Sequence, residues 1–433
     1  MTRIFGQRSR WLRVLIVVGL VGATGVVAAD SAAFGSSSGG TITATYMNSG
    51  TYNLAAESLV SGFKKSTGVT VNVEAFPYAV LQTNNTDAVI SGKCSYNVIS
   101  GSYYLAPIYS YFANLNSFAA KSNYSSQLLP GLWQHSEYYQ GYHVGVPYGP
   151  DAYGLMYNTA LFKKAGLSIP TTQSQLLSDL ATLKQKLPSG VSPFVFSAGA
   201  SEQLPALFFE SYNGYFINSA GHYALDTSEA TSAMQNAKEL MSYAPSDATG
   251  LSINAADDLF VEGKAAVLYG WPSFIRLQAD NPKESKIAGH WELGTDPSGG
   301  LIWLSLWQMY MTNCTTDQSA AWKWMTTFSS PKTDELLFTK YDVNPSFAAT
   351  YKIPTLAKQN TNYFPGEEAN LPLAKNPPLT SQVQDFLAST IGSFLTSTES
   401  PQAAVSSINS YWAHNPVPSA LLQEGAKDGL VQK

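Results

Sequence analysis

The chain has 433 residues, 45% of them apolar and 12% aromatic, which excludes general disorder and leaves room for two cored domains. Charged residues make up only 13% and the formal net charge is −5, so a nucleic-acid binder with a broad basic face is not expected. Two cysteines rule out a disulfide-rich scaffold and a zinc ribbon.

Arg3, Arg8, Arg10 and Arg13 precede the first acid, Asp30, and an apolar run from Val14 to Ala29 follows them. The run is short for a spanning helix of roughly 20 residues, and Gly19, Gly22 and Gly25 interrupt it. A basic start, an apolar middle and small residues near Ala29 or Ala33 read as a secretory signal. The same stretch also fits a retained membrane anchor. Either way the body is expected outside the cytoplasm, secreted or anchored at the cell surface, with the membrane touched only through this segment. No cysteine lies nearby to carry a lipid. Residues 30–41, with Ser36-Ser37-Ser38-Gly39-Gly40, read as a flexible tether. Removing 1–29 takes four arginines and no acid from a net of −5, leaving −9, and Arg276 becomes the sole arginine. A body this poor in fixed charge suits an acidic medium, because acid denaturation works largely by titrating carboxylates.

From Thr41 onward, strands alternate with helices. Thr41–Tyr46 is β-branched and ends at a turn, and Leu54–Ser66 has helical apolar spacing closed by Gly68. Val69–Val73 and Tyr96–Ile99 read as the next strands, so a parallel α/β sheet is expected. Ligands bind at the carboxyl ends of such strands. That makes 47–52, 76–78 and 100–104 the candidate loops. A second block follows: extended segments at 144–148 and 152–158, a helix to Leu187, and strands at 194–196 and 265–269. Amphipathic helices are expected at 320–328 and 383–394.

No dinucleotide, phosphate-loop, HExxH or GxSxG pattern occurs. The five histidines stand far apart, without ligand spacing, so neither metal nor cofactor is expected. Asn84-Asn85-Thr86, Asn123-Tyr124-Ser125 and Asn313-Cys314-Thr315 are glycosylation sequons. The positive signal is aromatic. Tyr103, Tyr104, Tyr148, Tyr153, Trp271, Trp303 and Trp307 gather at the ends of expected strands. Flat rings beside hydroxyls and amides suit a sugar, whose faces are C–H and whose rim is hydroxyl.

Three segments carry a resemblance. The first is Gly141–Tyr148 with Leu155–Asn158, Leu161–Leu167 and Pro170-Thr171-Thr172. The second is Phe260–Trp271, and the third is Gly299-Gly300 with Ala320–Met325 and Ser330-Pro331. Together they resemble extracellular solute-binding protein family 1, which serves sugar-importing ABC transporters. The resemblance implies a two-lobed periplasmic-binding-protein-like α/β fold (type II), with hinge-linked lobes around a central ligand cleft. It places the first lobe at 42–150 plus 300–345 and the second at 151–299 plus 346–433. It implies a receptor without catalysis, a mono- or oligosaccharide ligand, ABC permease subunits as partners and a monomer. Asp151 matches a hinge acid that contacts sugar in the maltose-binding type, and Trp271 a stacking ring. Ser100–Tyr104 matches the loop after the third strand, and Glu202 falls near a sugar-binding acid. The expected ligand-binding residues are Asn48, Tyr52, Tyr78, Ser102, Tyr103, Tyr104, Asp151, Tyr153, Glu202, Trp271 and Trp303.

Two other readings stay open on the sequence. One is a secreted polysaccharide-active enzyme using Asp151 and Glu202 as acid and nucleophile. The other is the same fold binding a non-sugar solute such as a peptide or polyamine. Finally, Cys94 precedes the third strand, and the resemblance makes Leu301–Met311 a strand returning antiparallel beside it. Cys94 and Cys314 then meet at the distal edge, within reach of a disulfide.

Overall fold

A computed structural model describes residues 39–48 and 51–433, apart from the side chains of Ala79, Tyr103 and His135. The expected signal or anchor at 1–29, and the tether as far as Ser38, lie outside the described residues. The described residues belong to one compact unit built around two main sheets. No helix among them is long and apolar enough to cross a membrane.

The first sheet has five strands in the order Thr70–Phe76, Thr41–Met47, Val98–Gly101, Leu304–Met311, Gly145–Ala152. The first three run parallel, as the β-branched segments separated by helices predict. The strand Leu304–Met311 enters antiparallel, pairing Met311 with Val98 on one side and Leu304 with Ala152 on the other. Helices cover the sheet. The helix Tyr52–Thr67 ends at Gly68, whose left-handed φ of 77° lets its N–H reach Lys64 O. The helix Gln318–Phe328 buries Ala320, Ala321, Trp324, Met325 and Phe328. Its Trp324 indole N–H donates to the Tyr46 hydroxyl at 2.9 Å, so a buried ring keeps its polar atom paired.

The second sheet runs Trp291–Leu293, Gly154–Asn158, Ala265–Gly270, Ser192–Val195. It is mixed: Gly154–Asn158 lies antiparallel to Ala265–Gly270, which is parallel to Ser192–Val195. The helices Ser381–Thr396 and Pro401–Trp412 pack into the core of this lobe through Val383, Leu387, Ile391, Ile408 and Trp412.

The strand pairing locates the crossings. The chain leaves the first sheet after Ala152 and joins the second at Gly154, two residues later than the expected boundary at 150. Gly149, at the entry, has φ 56°, and a Cβ there would meet Val343 Cγ1 at 3.0 Å, so glycine suits the position on two counts. On the way back, Trp303 still packs in the second-lobe core, with Phe209 at 5.6 Å, and the first sheet resumes at Leu304. Residues 300–303 therefore pack with the second lobe instead of the first.

The C-terminus differs more from expectation. Helix Ser419–Lys427 falls in the expected second lobe, but Ala420 and Leu421 bury themselves beside Tyr109, Phe112 and Tyr310 of the first. The chain then returns, with Phe216 N–H donating to Leu430 O at 2.9 Å and Gln432 N–H to Ile217 O at 2.8 Å. An amphipathic pattern dictates that a face is buried but not which lobe buries it.

Cys94 and Cys314 form a disulfide with Cα atoms 5.8 Å apart. It ties the approach to the parallel strand Val98–Gly101 to the end of the antiparallel strand Leu304–Met311.

Candidate functional site

The ends of the strands bring two groups of aromatic rings together, one on each lobe. On the first lobe, Tyr52 opens the helix after the first strand and Tyr78 the helix after the second. Trp307 comes from the antiparallel strand Leu304–Met311, which lies between Val98–Gly101 and Gly145–Ala152. Its ring lies 5.3 Å from Tyr52 and 6.4 Å from Tyr78, and Tyr78 meets Tyr104 edge-on at 5.8 Å. Tyr78 is 39% exposed, so this group keeps an open ring. Its hydroxyl accepts from Gln82 Nε2 at 2.9 Å. Ser102 stands at the end of Val98–Gly101, buried, and its Oγ has no hydrogen-bond partner. Buried hydroxyls are normally paired, so this one is available to a ligand hydroxyl. Asn48 is exposed at the end of the first strand, its N–H donating to Phe76 O at 2.9 Å. The side chain of Tyr103 and residues 49–50 lie outside the described residues.

On the second lobe, Trp271 follows the strand Ala265–Gly270 directly and caps the helix Pro272–Ala279. Proline at the first helical position starts that helix at a fixed point, which sets the tryptophan at the strand end. Trp271 lies 4.6 Å from Tyr153 and 5.4 Å from Trp303. Its indole N–H donates to Gln203 Oε1 at 2.9 Å, which fixes the plane of the ring. Tyr153 and Trp303 are almost fully buried and serve as its backing. Trp303 Nε1 is buried without a partner, a second donor left unused. Glu202 is exposed on the short turn Ser201–Gln203.

Asp151 occupies a different position from that of a free sugar-binding acid. It is 5% exposed, accepts from Ser273 Oγ, and accepts from Asn344 Nδ2 at 3.1 Å. Asn344 also reaches Glu367 Oε2 at 3.4 Å and accepts from the Tyr363 hydroxyl at 2.6 Å. Burial pushes Asp151 up to about 7, and burial with the neighbouring Asp151 charge raises Glu367 well above its ordinary value. Beside them Arg276 pairs with Asp342 at 2.7 Å and donates to Phe338 O at 2.6 Å. Asp151 thus joins three segments at the hinge: the outgoing strand, the helix after Trp271, and the segment near 344.

The two lobes face each other across this hinge. The charges of Asp385 and Glu202, both on second-lobe elements, act on the Tyr78 hydroxyl of the first lobe. Sequence reading gathered most of the rings. It missed Gln203, Ser273, Asn344 and Asp385, whose roles come from packing between distant segments. Only Gln203, next to Glu202, carried a local signal.

Known proteins place this geometry in context. The sequence model for the bacterial extracellular solute-binding proteins matches residues 45–335. No curated protein matches the chain. Among solved structures, the chain is similar to an ABC transporter solute-binding protein of Agrobacterium radiobacter K84 in complex with ribitol. The TM-score is 0.74 and the identity 22%, covering 87% of this chain and 98% of that one. It is similar to maltose-bound MalE3 of T. maritima, with TM-score 0.72 and 20% identity over 86% of this chain and 99% of that one. It also resembles a sugar transporter protein of Arthrobacter chlorophenolicus A6 with bound laminaribiose, at TM-score 0.69 and 19% identity, covering 86% and 98%. These likenesses establish the two-lobed, hinge-linked binding-protein fold. The chain belongs to the bacterial extracellular solute-binding protein family.

Proposed function

We propose that the protein is an extracytoplasmic carbohydrate receptor that closes its cleft on a mono- or oligosaccharide and delivers it to an ABC importer. The observation that carries this reading is the pair of aromatic platforms, one on each lobe, set beside unpartnered polar groups. The rings offer apolar area to the C–H faces of a sugar, and Ser102 Oγ, Trp303 Nε1 and Glu202 offer bonds to its hydroxyl rim. The ribitol, maltose and laminaribiose held by similar structures support the same class. In this reading the first lobe contributes Asn48, Tyr52, Tyr78, Ser102, Tyr103 and Tyr104. The second contributes Tyr153, Glu202, Trp271 and Trp303. Asp151 acts through the hinge, where Ser273 and Asn344 occupy its oxygens. The same bonds make it a poor acid or nucleophile, which weighs against the hydrolase reading. The lobes follow the two sheets, the protein works as a monomer, the partners are permease subunits, and the membrane is met only through the N-terminal segment.

A thermal-shift screen over mono- and oligosaccharides tests the class, because a ligand that binds only the folded state raises its stability. Peptide or polyamine hits without any sugar hit would sink the carbohydrate reading. Trp271→Ala removes one platform and is expected to weaken the preferred sugar by about 2 kcal/mol or more, as for a buried aromatic anchor. Calorimetry showing unchanged affinity in a folded variant would move the site elsewhere. Closure is checked by X-ray scattering: the radius of gyration is expected to fall on saturation with the bound sugar. Superimposable curves would argue against hinge closure.

A further inference from the structure

Among the described residues, the second-lobe side of the cleft carries two exposed acids, Glu202 and Asp385. Glu202 sits on the turn Ser201–Gln203, and Asp385 on the helix Ser381–Thr396 that packs against that turn. Both side chains are exposed. Gln203, next to Glu202 on that turn, accepts the Trp271 indole N–H at 2.9 Å, which sets the turn beside the second-lobe ring, and the charges of both acids reach Tyr78. No Lys or Arg occurs in the described residues 47–48, 51–52, 76–78, 100–102, 147–153, 198–204, 269–273 or 301–308. Lys375, whose backbone pairs with the strand at Trp303, donates its Nζ to Asp428 O at 2.8 Å. The one arginine among the described residues is already committed. Arg276 is buried, paired with Asp342, and lies over the Phe338 ring at 3.8 Å.

This pattern has a consequence for the ligand. A carboxylate or phosphate drawn between the platforms would lose its water and find no cation. It would also meet two carboxylates, and like charges brought together at an interface are a strong means of rejection. An ammonium group would meet the same two carboxylates favourably. We infer that the cleft selects by charge, taking uncharged or amino-substituted glycans and rejecting uronate-bearing ones, with Glu202 and Asp385 as the selecting pair. The inference rests on the carbohydrate reading of the site and adds the substrate class.

The test is calorimetry on the full exported chain with matched disaccharide probes. Cellobiose, maltose and laminaribiose are the neutral set, chitobiose is the amino probe, and cellobiouronic acid and digalacturonate are the acidic ones. The expected result is binding in the neutral or amino set, with the acidic probes weaker by roughly tenfold or more. Asp385→Lys, on an exposed helix position, is expected to narrow that gap, and Glu202→Gln to remove any advantage of chitobiose over cellobiose. Circular dichroism confirms that each variant is folded. An acidic probe binding as tightly as its neutral counterpart would overturn the charge selection and leave the carbohydrate reading standing. An Asp385→Lys variant that leaves the acidic probes unchanged would overturn the role of that residue. Failure of every glycan, whatever its charge, would overturn the carbohydrate reading itself.

Discussion

Raising the pH from about 5 to about 8 is expected to lower the stability of the folded protein, the reverse of the usual effect of ionising carboxylates. The cause is a set of acids buried without matching cations. Glu137 and Glu424 lie together in the first lobe, with Tyr109 and Tyr310 beside them and Lys427 and Asp428 at the edge. Burial pushes Glu137 up to about 7, and burial with the charges of Glu137 and Asp428 raises Glu424. Asp151, beside Glu367 at the hinge, is likewise pushed up to about 7 by burial, and Glu210 and Asp257 to about 8. In the unfolded chain the same groups titrate near about 4. Between that value and the folded values the native state therefore holds more protons than the unfolded state. Stability then falls as pH rises through the window and levels off above it. One carboxyl raised by about three units contributes on the order of 4 kcal/mol across the window. Urea midpoints measured along the pH series check this, and a midpoint that rises from pH about 5 to about 8 would refute it. Glu424→Gln keeps the shape of the protonated acid. It is expected to stabilise the protein near pH 8, change little near pH 5, and flatten the profile.

That expectation joins two levels of the molecule. The sequence shows few fixed charges, but composition cannot say where the acids lie. The structure places several of them in the interior, where protonation is the cheaper state. The fold was more legible than the site. Thr41–Met47 and Ala265–Gly270 are apolar and β-branched enough to be strands in any arrangement, and Gly68 marks a helix end by its backbone freedom. The lobe assignment of Ser419–Lys427 was not legible, because its apolar face fits either core and only the tertiary contact decides. In the site, rings at strand ends were visible because strand ends are visible. Asp385 was not, since only the packing of its helix against the turn Ser201–Gln203, far away in sequence, sets it beside Glu202. Asp151 was legible as a hinge residue. Its partners Ser273 and Asn344 were not, because hydrogen bonds across a hinge leave no periodic trace.

Replacing both cysteines by serine is expected to cost the folded protein about 2–5 kcal/mol. The bond closes a loop with a sequence separation of 220 residues, and the chain-entropy model gives about 5 kcal/mol for a loop of that length. The native sheet is expected to change little on losing it. Other contacts hold the same edge: Met311 pairs with Val98, Thr312 Oγ1 donates to Tyr96 O at 2.9 Å, and Thr315 Oγ1 to Asn97 O at 2.9 Å. The effect therefore falls on the unfolded ensemble, which regains the freedom of the open loop. Two measurements separate this account from its rivals. Thiol counting on the denatured, unreduced protein is expected to find none free, and two free thiols would mean that the bond does not form. Urea unfolding of the double serine variant is expected to show a lower midpoint with the ligand affinity retained, since the bond lies at the end of the sheet remote from Ser102 and Trp307. A variant as stable as the parent would show that the unfolded chain already holds these segments together. One that also lost sugar binding would show that the distal edge controls the cleft.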